Sequence, residues 1–532
     1  MKSSRKLSFA ATAAKMGRSV CGFTFIILLS CAAHADVKLP AMFSDHAVLQ
    51  RDVPVPVWGW AEPGEAVTVT VAGQTHQATA DDKGKWRVTL TTLAVGEPLQ
   101  LVVQGKNRLE RNDILVGEVW VCSGQSNMEW PVSASTNADL EISASKHPTI
   151  RLVSVKEPGS QTPVEDFVGQ WDVCTPETVK DFSAVGYFFG RELSEQLGVP
   201  IGLIDNAWGG SACDAWIPRD RFEGNELYAT QLANWDKIAS ENDEASMRAD
   251  YEKKLAEWRT KADAARAAGQ PQPQGRPELN HPLFGNARPA SLYHGRLGPI
   301  MPYAIRGVVW YQGESNAGRA FQYREMFPLM IQTWRENWKQ GDFPFYWVQL
   351  ADFMPEKLEP TDSAWAELRE AQTMTQDRLP KTGEAVIIDI GEAADIHPRN
   401  KVEVGKRLSR LAIARDYGRG DLVCQSPRYE SMEKQGDTIV VKFKDVGGGL
   451  RKVDSAELQG FAIAGEDRKW VWAEAQVLGP DRVGVRSYSV PNPVAVRYAW
   501  GDNPDCNLYN KVGLPVTPFR TDDWPGITVN NR

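Results

Sequence analysis

The chain lacks most of what marks a metal, membrane or nucleic-acid protein. Its 532 residues include 7 cysteines and 7 histidines, with no Cys-x-x-Cys pair and no His-Glu-x-x-His run. The common zinc patterns are therefore missing, and neither a metal nor another cofactor is expected. Beyond residue 35 no apolar run is long enough to cross a bilayer, so no membrane span is expected. Positive charge is in the minority: 60 Lys and Arg stand against 68 Asp and Glu, a formal net charge of −8. A chain of that sign is a poor match for a phosphate backbone, and no nucleic-acid partner is expected.

The cations that are present cluster at the start. Lys2, Arg5, Lys6, Lys15 and Arg18 precede an apolar run over 23–29 and the small-residue triplet Ala33-His34-Ala35. This order predicts a secretory signal over residues 1–35, cleaved near Ala35, and a periplasmic or secreted protein. Attachment as a lipoprotein at Cys31 is the alternative, from the run Leu28-Leu29-Ser30-Cys31. Loss of the leader takes the formal charge from −8 to −13 and leaves Cys122, Cys174, Cys213, Cys424 and Cys506. Disulfides suit an exported chain, and Cys424–Cys506 is the expected pair. The odd count leaves at least one thiol free.

The length predicts several domains. Alternating valines at 67, 69 and 71 and punctuation by Pro63, Gly64 and Gly84 predict a β-sandwich over 36–112. From 113 to 417 apolar strands, expected at 118–122, 150–155, 201–205, 305–311, 344–350 and 385–390, alternate with helices. Such alternation implies an α/β domain with a parallel sheet covered on both faces. One helix is bounded by Ser183 as cap and by Gly198 and Pro200 as stop. A charged helical insertion over about 222–275 carries the stripe Met247, Tyr251, Leu255, Trp258 and Ala262; it is either a lid or a helix packed on the domain. Residues 418–532 return to a β pattern and are expected to form a C-terminal β-rich domain.

The chemistry-bearing stretch follows the first of those α/β strands. The apolar run ending at Cys122 stops at Ser123 and Gly124, and Ser126 follows between Gln125 and Asn127. A buried strand that ends this way presents a hydroxyl at the carboxyl edge of a sheet, where open α/β folds place their sites. The flanking amides are candidates for binding substrate or a developing oxyanion. A serine nucleophile needs a base. His34 lies in the leader, His46 and His76 in the β-sandwich, His147 has no chemical company, and His281 and His294 lie in a long loop region. His397 alone follows an apolar stretch, 385–390, and precedes a helix, with Pro398 expected in the first helical turn.

Three strings together carry a resemblance: Gly124-Gln125-Ser126-Asn127-Met128, Gln312-Gly313-Glu314-Ser315-Asn316 and Asp395-Ile396-His397-Pro398. In this order they resemble the sialate O-acetylesterase branch of the SGNH hydrolases, from about Val37 to past Arg415. The resemblance implies an SGNH-type, flavodoxin-like three-layer domain and a serine esterase that removes acetyl groups from sugars. It implies Ser126 as nucleophile and His397 as base. The oxyanion glycine matches Gly209 or Gly210, and the amide of the hole matches Gln312, with Asn316 as competitor. Many SGNH enzymes carry an acid three residues before the histidine; here Ala394 stands there. Asp395 is the first choice for the third member, with Glu392, Asp389, Glu314 or a Ser–His dyad aided by a backbone carbonyl left open; Glu314 is also a candidate to bind substrate or to orient the Gln312 loop.

An acetylated saccharide is the expected partner, with no obligate protein partner. O-acetylated sialic acid and plant polysaccharide such as xylan or xyloglucan are the two substrate readings. A non-catalytic carbohydrate-binding protein is the rival class, opposed by the intact Ser126/His397 pair. Of 19 tryptophans, Trp130, Trp208 and Trp216 neighbour the proposed site and are candidates for stacking on sugar rings. Arg319 and Arg399 are candidates to hold a substrate carboxylate, or else surface charges.

Overall fold

One strand joins two layers of the molecule. β1 (Arg108–Gly124) is 17 residues long, alternates exposed and half-buried side chains over its first six positions, and is buried from Ile114 onward. Its first half pairs antiparallel with Leu99–Gln104 of the N-terminal β-region, and its second half enters the central sheet. The expected boundary at 112/113 therefore falls inside a continuous strand. The computed structural model describes residues 36–532 except 269, 271 and 272. The expected leader and the lipoprotein alternative at Cys31 lie outside the described residues. Residues 36–532 pack as one unit.

The remaining central strands are β2 (His147–Ser154), β3 (Asp172–Cys174), β4 (Ile201–Ala207), β5 (Gly307–Tyr311), β6 (Phe345–Val348) and β7 (Thr382–Ala385). They lie in the order β7-β6-β5-β1-β4-β2-β3. All are parallel except β3, which closes one edge antiparallel to β2. The chain runs from β1 to one side of the sheet (β2, β4), then crosses to the other (β5, β6, β7). The carboxyl end of β1 is thus a topological switch point, where such sheets open a crevice.

Successive residues of the central strands face opposite sides. Trp120, Cys122, Val309, Tyr311, Tyr346 and Val348 share a core with α1 (Ala184–Leu197) and with the helix after His397. Val119, Val121, Val308, Trp310 and Trp347 point the other way, into a core that continues under the N-terminal strands. Ser183 caps α1 by accepting the Gly186 N–H, and Gly198 closes it at φ +62, as its sequence predicts.

Two helices, α2 (Glu226–Ser240) and α3 (Glu244–Ala267), fill the expected insertion. Tyr251, Leu255 and Ala262 of the apolar stripe are buried, and Arg248 donates to the Gly159 carbonyl at 2.7 Å. On the far side of β5 and β6 lie α4 (Ala320–Trp338) and α5 (Ala364–Arg378). The last helix of the α/β region is α6 (Lys401–Asp416), capped by Asn400, which accepts the Glu403 N–H. The C-terminal region holds two four-stranded antiparallel sheets around Val441, Phe443, Ile463, Val483 and Val496.

Three expectations need correction here. The apolar stretch 385–390 is not a strand: β7 ends at Ala385. Beyond it Val386 and Ile388 enter the C-terminal core while Ile387 turns into the α/β core, so the run bridges two cores. Pro398 lies before the first helical turn, which begins at Lys401. Cys424 and Cys506 are both free, because Cys424 packs against the α/β core and Cys506 against the C-terminal one.

Candidate active site

Sheet register brings three loops of the site together. Gly124 lies level with Ala207 of β4 on one side and Tyr311 of β5 on the other. The chain therefore leaves all three strands at one height. The Gln125 N–H donates to the Tyr311 carbonyl at 2.9 Å, and the Trp208 N–H donates to the Gly124 carbonyl at 3.0 Å. Ser126 then opens a single helical turn, Ser126–Glu129. Its N–H has no acceptor inside that turn.

His397 lies on the loop between β7 and α6. Its Nε2 lies 2.8 Å from Ser126 Oγ. That is the distance and the partner a general base requires. The indole of Trp130 stacks on the imidazole, with ring centres 4.8 Å apart and planes 15° from parallel. Trp130 is itself held by its Nε1–H, which donates to the Ala134 carbonyl at 3.0 Å.

Asp395 is the carboxylate beside His397. One oxygen accepts the His397 backbone N–H at 2.9 Å and lies 3.4 Å from His397 Nδ1. That backbone N–H is the main reason its carboxyl is held below the ordinary aspartate range. The side chains of His397 and Asp395 are 26 % and 39 % exposed, so both are reachable from solvent. The other acids are engaged elsewhere. Asp389 takes two hydrogen bonds from Arg407 at 2.6 and 2.9 Å, and Glu392 accepts the Arg399 N–H at 2.8 Å. Glu314 bonds Asn127 at 2.6 Å, and burial raises its pKa.

Gly209 stands next to Ser126. A Cβ on Gly209 would lie 3.6 Å from Ser126 Cβ. The Gly209 N–H donates to Glu129 Oε2 at 2.7 Å, so this donor is occupied by the chain's own carboxylate. Gly210 is left-handed at φ +68, and its carbonyl accepts from Ser315 Oγ at 3.0 Å.

Gln312 and Asn316 do not reach Ser126. Gln312 is fully buried; its Nε2 donates to the Ser211 carbonyl at 3.1 Å and to Asn316 Oδ1 at 2.7 Å, and its Oε1 accepts from Tyr323 at 3.0 Å. Asn316 donates to Asp214 at 2.9 Å and accepts the Cys213 N–H at 2.9 Å. With their polar atoms spent under the β5 turn, neither is placed as an oxyanion donor. The expected role is corrected to that of a buried brace. Gln125 is likewise buried, and its Oε1 accepts the Gly313 N–H at 3.3 Å. Asn127 is 1 % exposed with its amide engaged on both ends, so it does not face a substrate.

The aromatic and basic candidates divide. Trp130 and Arg399 line a cavity of about 520 Å³ with Ser133, Ser135, Thr136 and Asn137. Trp208 is half-buried under Arg296, whose guanidinium sits 4.5 Å above its ring. Trp216 is buried against Trp310 and Trp334 and is a core residue. Arg319 forms a two-pronged pair with buried Asp214 at 3.0 and 3.1 Å, so it is not free to hold a substrate. Two residues beside the site escaped the sequence reading, Glu129 and Lys401. Nothing in the spacing marks a lysine four residues after a histidine as buried.

The chain is similar to known proteins over most of its length. Residues 116–249 and 292–414 match a family model described as carbohydrate esterase, sialic acid-specific acetylesterase. Human sialate O-acetylesterase is 28 % identical over 93 % of this chain and 94 % of its own. The mouse sialate O-acetylesterase is 27 % identical over 94 % and 97 %. A crystal structure of a carbohydrate acetylesterase from Xanthomonas citri superposes with a TM-score of 0.77 at 38 % identity, covering 92 % of this chain and 100 % of that one.

Proposed function

Because the chain belongs to the family of sialic acid-specific acetylesterases among the carbohydrate esterases, we propose that it hydrolyses O-acetyl esters of sugars through a Ser126 acyl-enzyme. The observation that carries this reading is the 2.8 Å contact between His397 Nε2 and Ser126 Oγ at the sheet's switch point. His397 Nε2 takes the hydroxyl proton as Oγ attacks the acetyl carbonyl. The proton then passes to the departing sugar oxygen. A water molecule, deprotonated by the same imidazole, cleaves the acetyl-serine and releases acetate. Asp395 favours the tautomer that leaves Nε2 free to accept, and it stabilises the imidazolium.

The oxyanion is held by the Ser126 N–H together with the N–H of Gly209 or Gly210. In the first case the Glu129 carboxylate yields its hydrogen bond as the oxyanion forms. The helical turn after Ser126 and the glycine loop after β4 support an SGNH-type arrangement. Residues 1–35 support export to the periplasm or beyond. Arg399, with the hydroxyls of its cavity, suits an anionic sugar, which favours O-acetylated sialic acids over neutral xylan or xyloglucan.

Acetate release measured side by side on O-acetylated sialic acids and on acetylated xylan oligomers tests the choice. Faster release from the sialic acids supports it. Release from xylan alone would reassign the substrate, and release from neither would favour the non-catalytic carbohydrate-binding alternative.

A further inference from the structure

Behind the Ser126–His397 pair lies a buried cation that the reaction just described does not use. Lys401, the first residue of α6, is 0 % exposed. Burying an ammonium is costly unless its donors and charge are met. Lys401 Nζ donates to Asn127 Oδ1 and lies 5.2 and 5.9 Å from the ring centres of Tyr311 and Trp130. At its other end Asn127 Nδ2 donates to Glu314 Oε1 at 2.6 Å and to the Ile396 carbonyl at 3.0 Å.

The amide thus sits between a cation at its oxygen and a carboxylate at its nitrogen. Turning it over would set its NH₂ against the ammonium and its oxygen against two acceptors, so only one orientation is stable. Three segments meet at this one side chain. Asn127 follows the nucleophile, Glu314 follows β5, and Ile396 immediately precedes the base.

We propose that Lys401 is a positioning residue for the esterase reaction. Through Asn127 it ties the His397 backbone to the segment that carries Ser126, and through Trp130 it sets the plane of the imidazole. The proposal rests on the Ser126–His397 reading. Lys401 contacts the residues that hold the reacting groups and not the reacting atoms, so its effect belongs to kcat and not to KM.

The charge on Lys401 is delicately held. Burial pulls its pKa down to about 7, opposed by Glu314, Glu392 and Asp395. The groups facing it are Tyr311 and Glu314 from the β5 side, Asn127 and Trp130 from the nucleophile side, and Glu392 and Asp395 from the loop before α6. Its pKa is lowered, so the cation is present below about 7 and lost as pH rises through that value. The tie between nucleophile and base loosens as the proton leaves, and kcat falls on the alkaline side.

The test is kcat and KM against pH for p-nitrophenyl acetate, with wild type, Lys401→Met and Glu314→Gln. In Lys401→Met we expect kcat to fall roughly 10–10²-fold with KM within about threefold, and the alkaline limb to vanish. Glu314→Gln keeps an acceptor for Asn127 but removes a charge that holds the ammonium protonated. Its alkaline limb should move to lower pH, a shift that a merely structural role would not produce.

Two results overturn the proposal: wild-type kcat in a folded Lys401→Met variant, or an unmoved alkaline limb in Glu314→Gln. If Lys401→Met does not fold, Glu314→Gln decides alone. Ser126→Ala is run alongside. Activity surviving there overturns the underlying mechanism, whereas activity lost there but intact in Lys401→Met overturns only the role of Lys401.

Discussion

The two halves of the proposed catalytic pair are built by different means. Ser126 is delivered by regular structure: β1 is paired on both sides, and its last residue is level with the last residues of β4 and β5. His397 hangs on an irregular segment between Ala385 and Lys401, held from outside. Arg407 grips Asp389, Asp352 accepts the Gly391 N–H at 2.7 Å, and Tyr509 of the C-terminal region donates to Asp389 at 3.3 Å. Val386 and Ile388 of the same segment are part of the C-terminal core. Ser126 is therefore placed by strand register, and His397 by tertiary contacts. Damage far from the chemistry should reach the base more readily than the nucleophile.

The sharpest contrast comes from the nucleophile itself. Ser126→Ala should leave the fold intact, since it removes one half-exposed hydroxyl from a helical turn. Hydrolysis of p-nitrophenyl acetate should fall roughly 10⁴–10⁶-fold with an unchanged thermal transition. Retention of a tenth of the activity would move the reaction to another serine. On the base side, Asp389→Ala removes one of the two carboxylates that pair with buried Arg407 and leaves Glu403 at 3.0 Å. It should cost about 1–3 kcal/mol of stability in urea unfolding. Because Asp389 anchors the segment that carries His397, kcat per folded molecule should fall as well, and a native-like value would contradict the dependence of His397 on these contacts.

A smaller effect is expected at Asp395. Asparagine still accepts the His397 backbone N–H, but the charge beside Nδ1 is gone. Because the carboxylate is part-exposed, we expect a fall in kcat of about a hundredfold, short of the roughly 10⁴-fold seen for a buried triad aspartate. A loss below about threefold would mean that His397 works without an acid. Least of all, Gln312→Ala should lower stability by about 1–3 kcal/mol, by stranding its buried partners, while kcat stays within about threefold. A large kcat defect in a stable Gln312→Ala variant would return this amide to the oxyanion hole.

The same contrast explains what was legible in the sequence. Strand periodicity and the small residues ending at Gly124 were enough to place Ser126 at a sheet edge, and the Ser183 and Gly198 caps were readable because they act locally. The 385–390 run misled because its apolar residues serve two cores, and periodicity does not tell a strand from a bridge between packing layers. Gln312 and Asn316 belong to the second string and Arg319 closely follows it, yet their partners Ser211, Cys213 and Asp214 lie far off in sequence. Side-chain direction was set there by tertiary hydrogen bonds. Lys401 was invisible for a similar reason, since its burial depends on Asn127, Tyr311 and Trp130 arriving from elsewhere.

Labelling of the nucleophile is the most direct measurement of the pairing of Ser126 with His397. The protein is treated with a fluorophosphonate, digested, and the modified peptide is sequenced by mass spectrometry, for wild type and for His397→Ala. The expected result is a single label on Ser126 that forms rapidly in wild type and at least about a hundredfold more slowly in His397→Ala. Labelling of a different serine, or equal rates in the two proteins, would contradict the assignment.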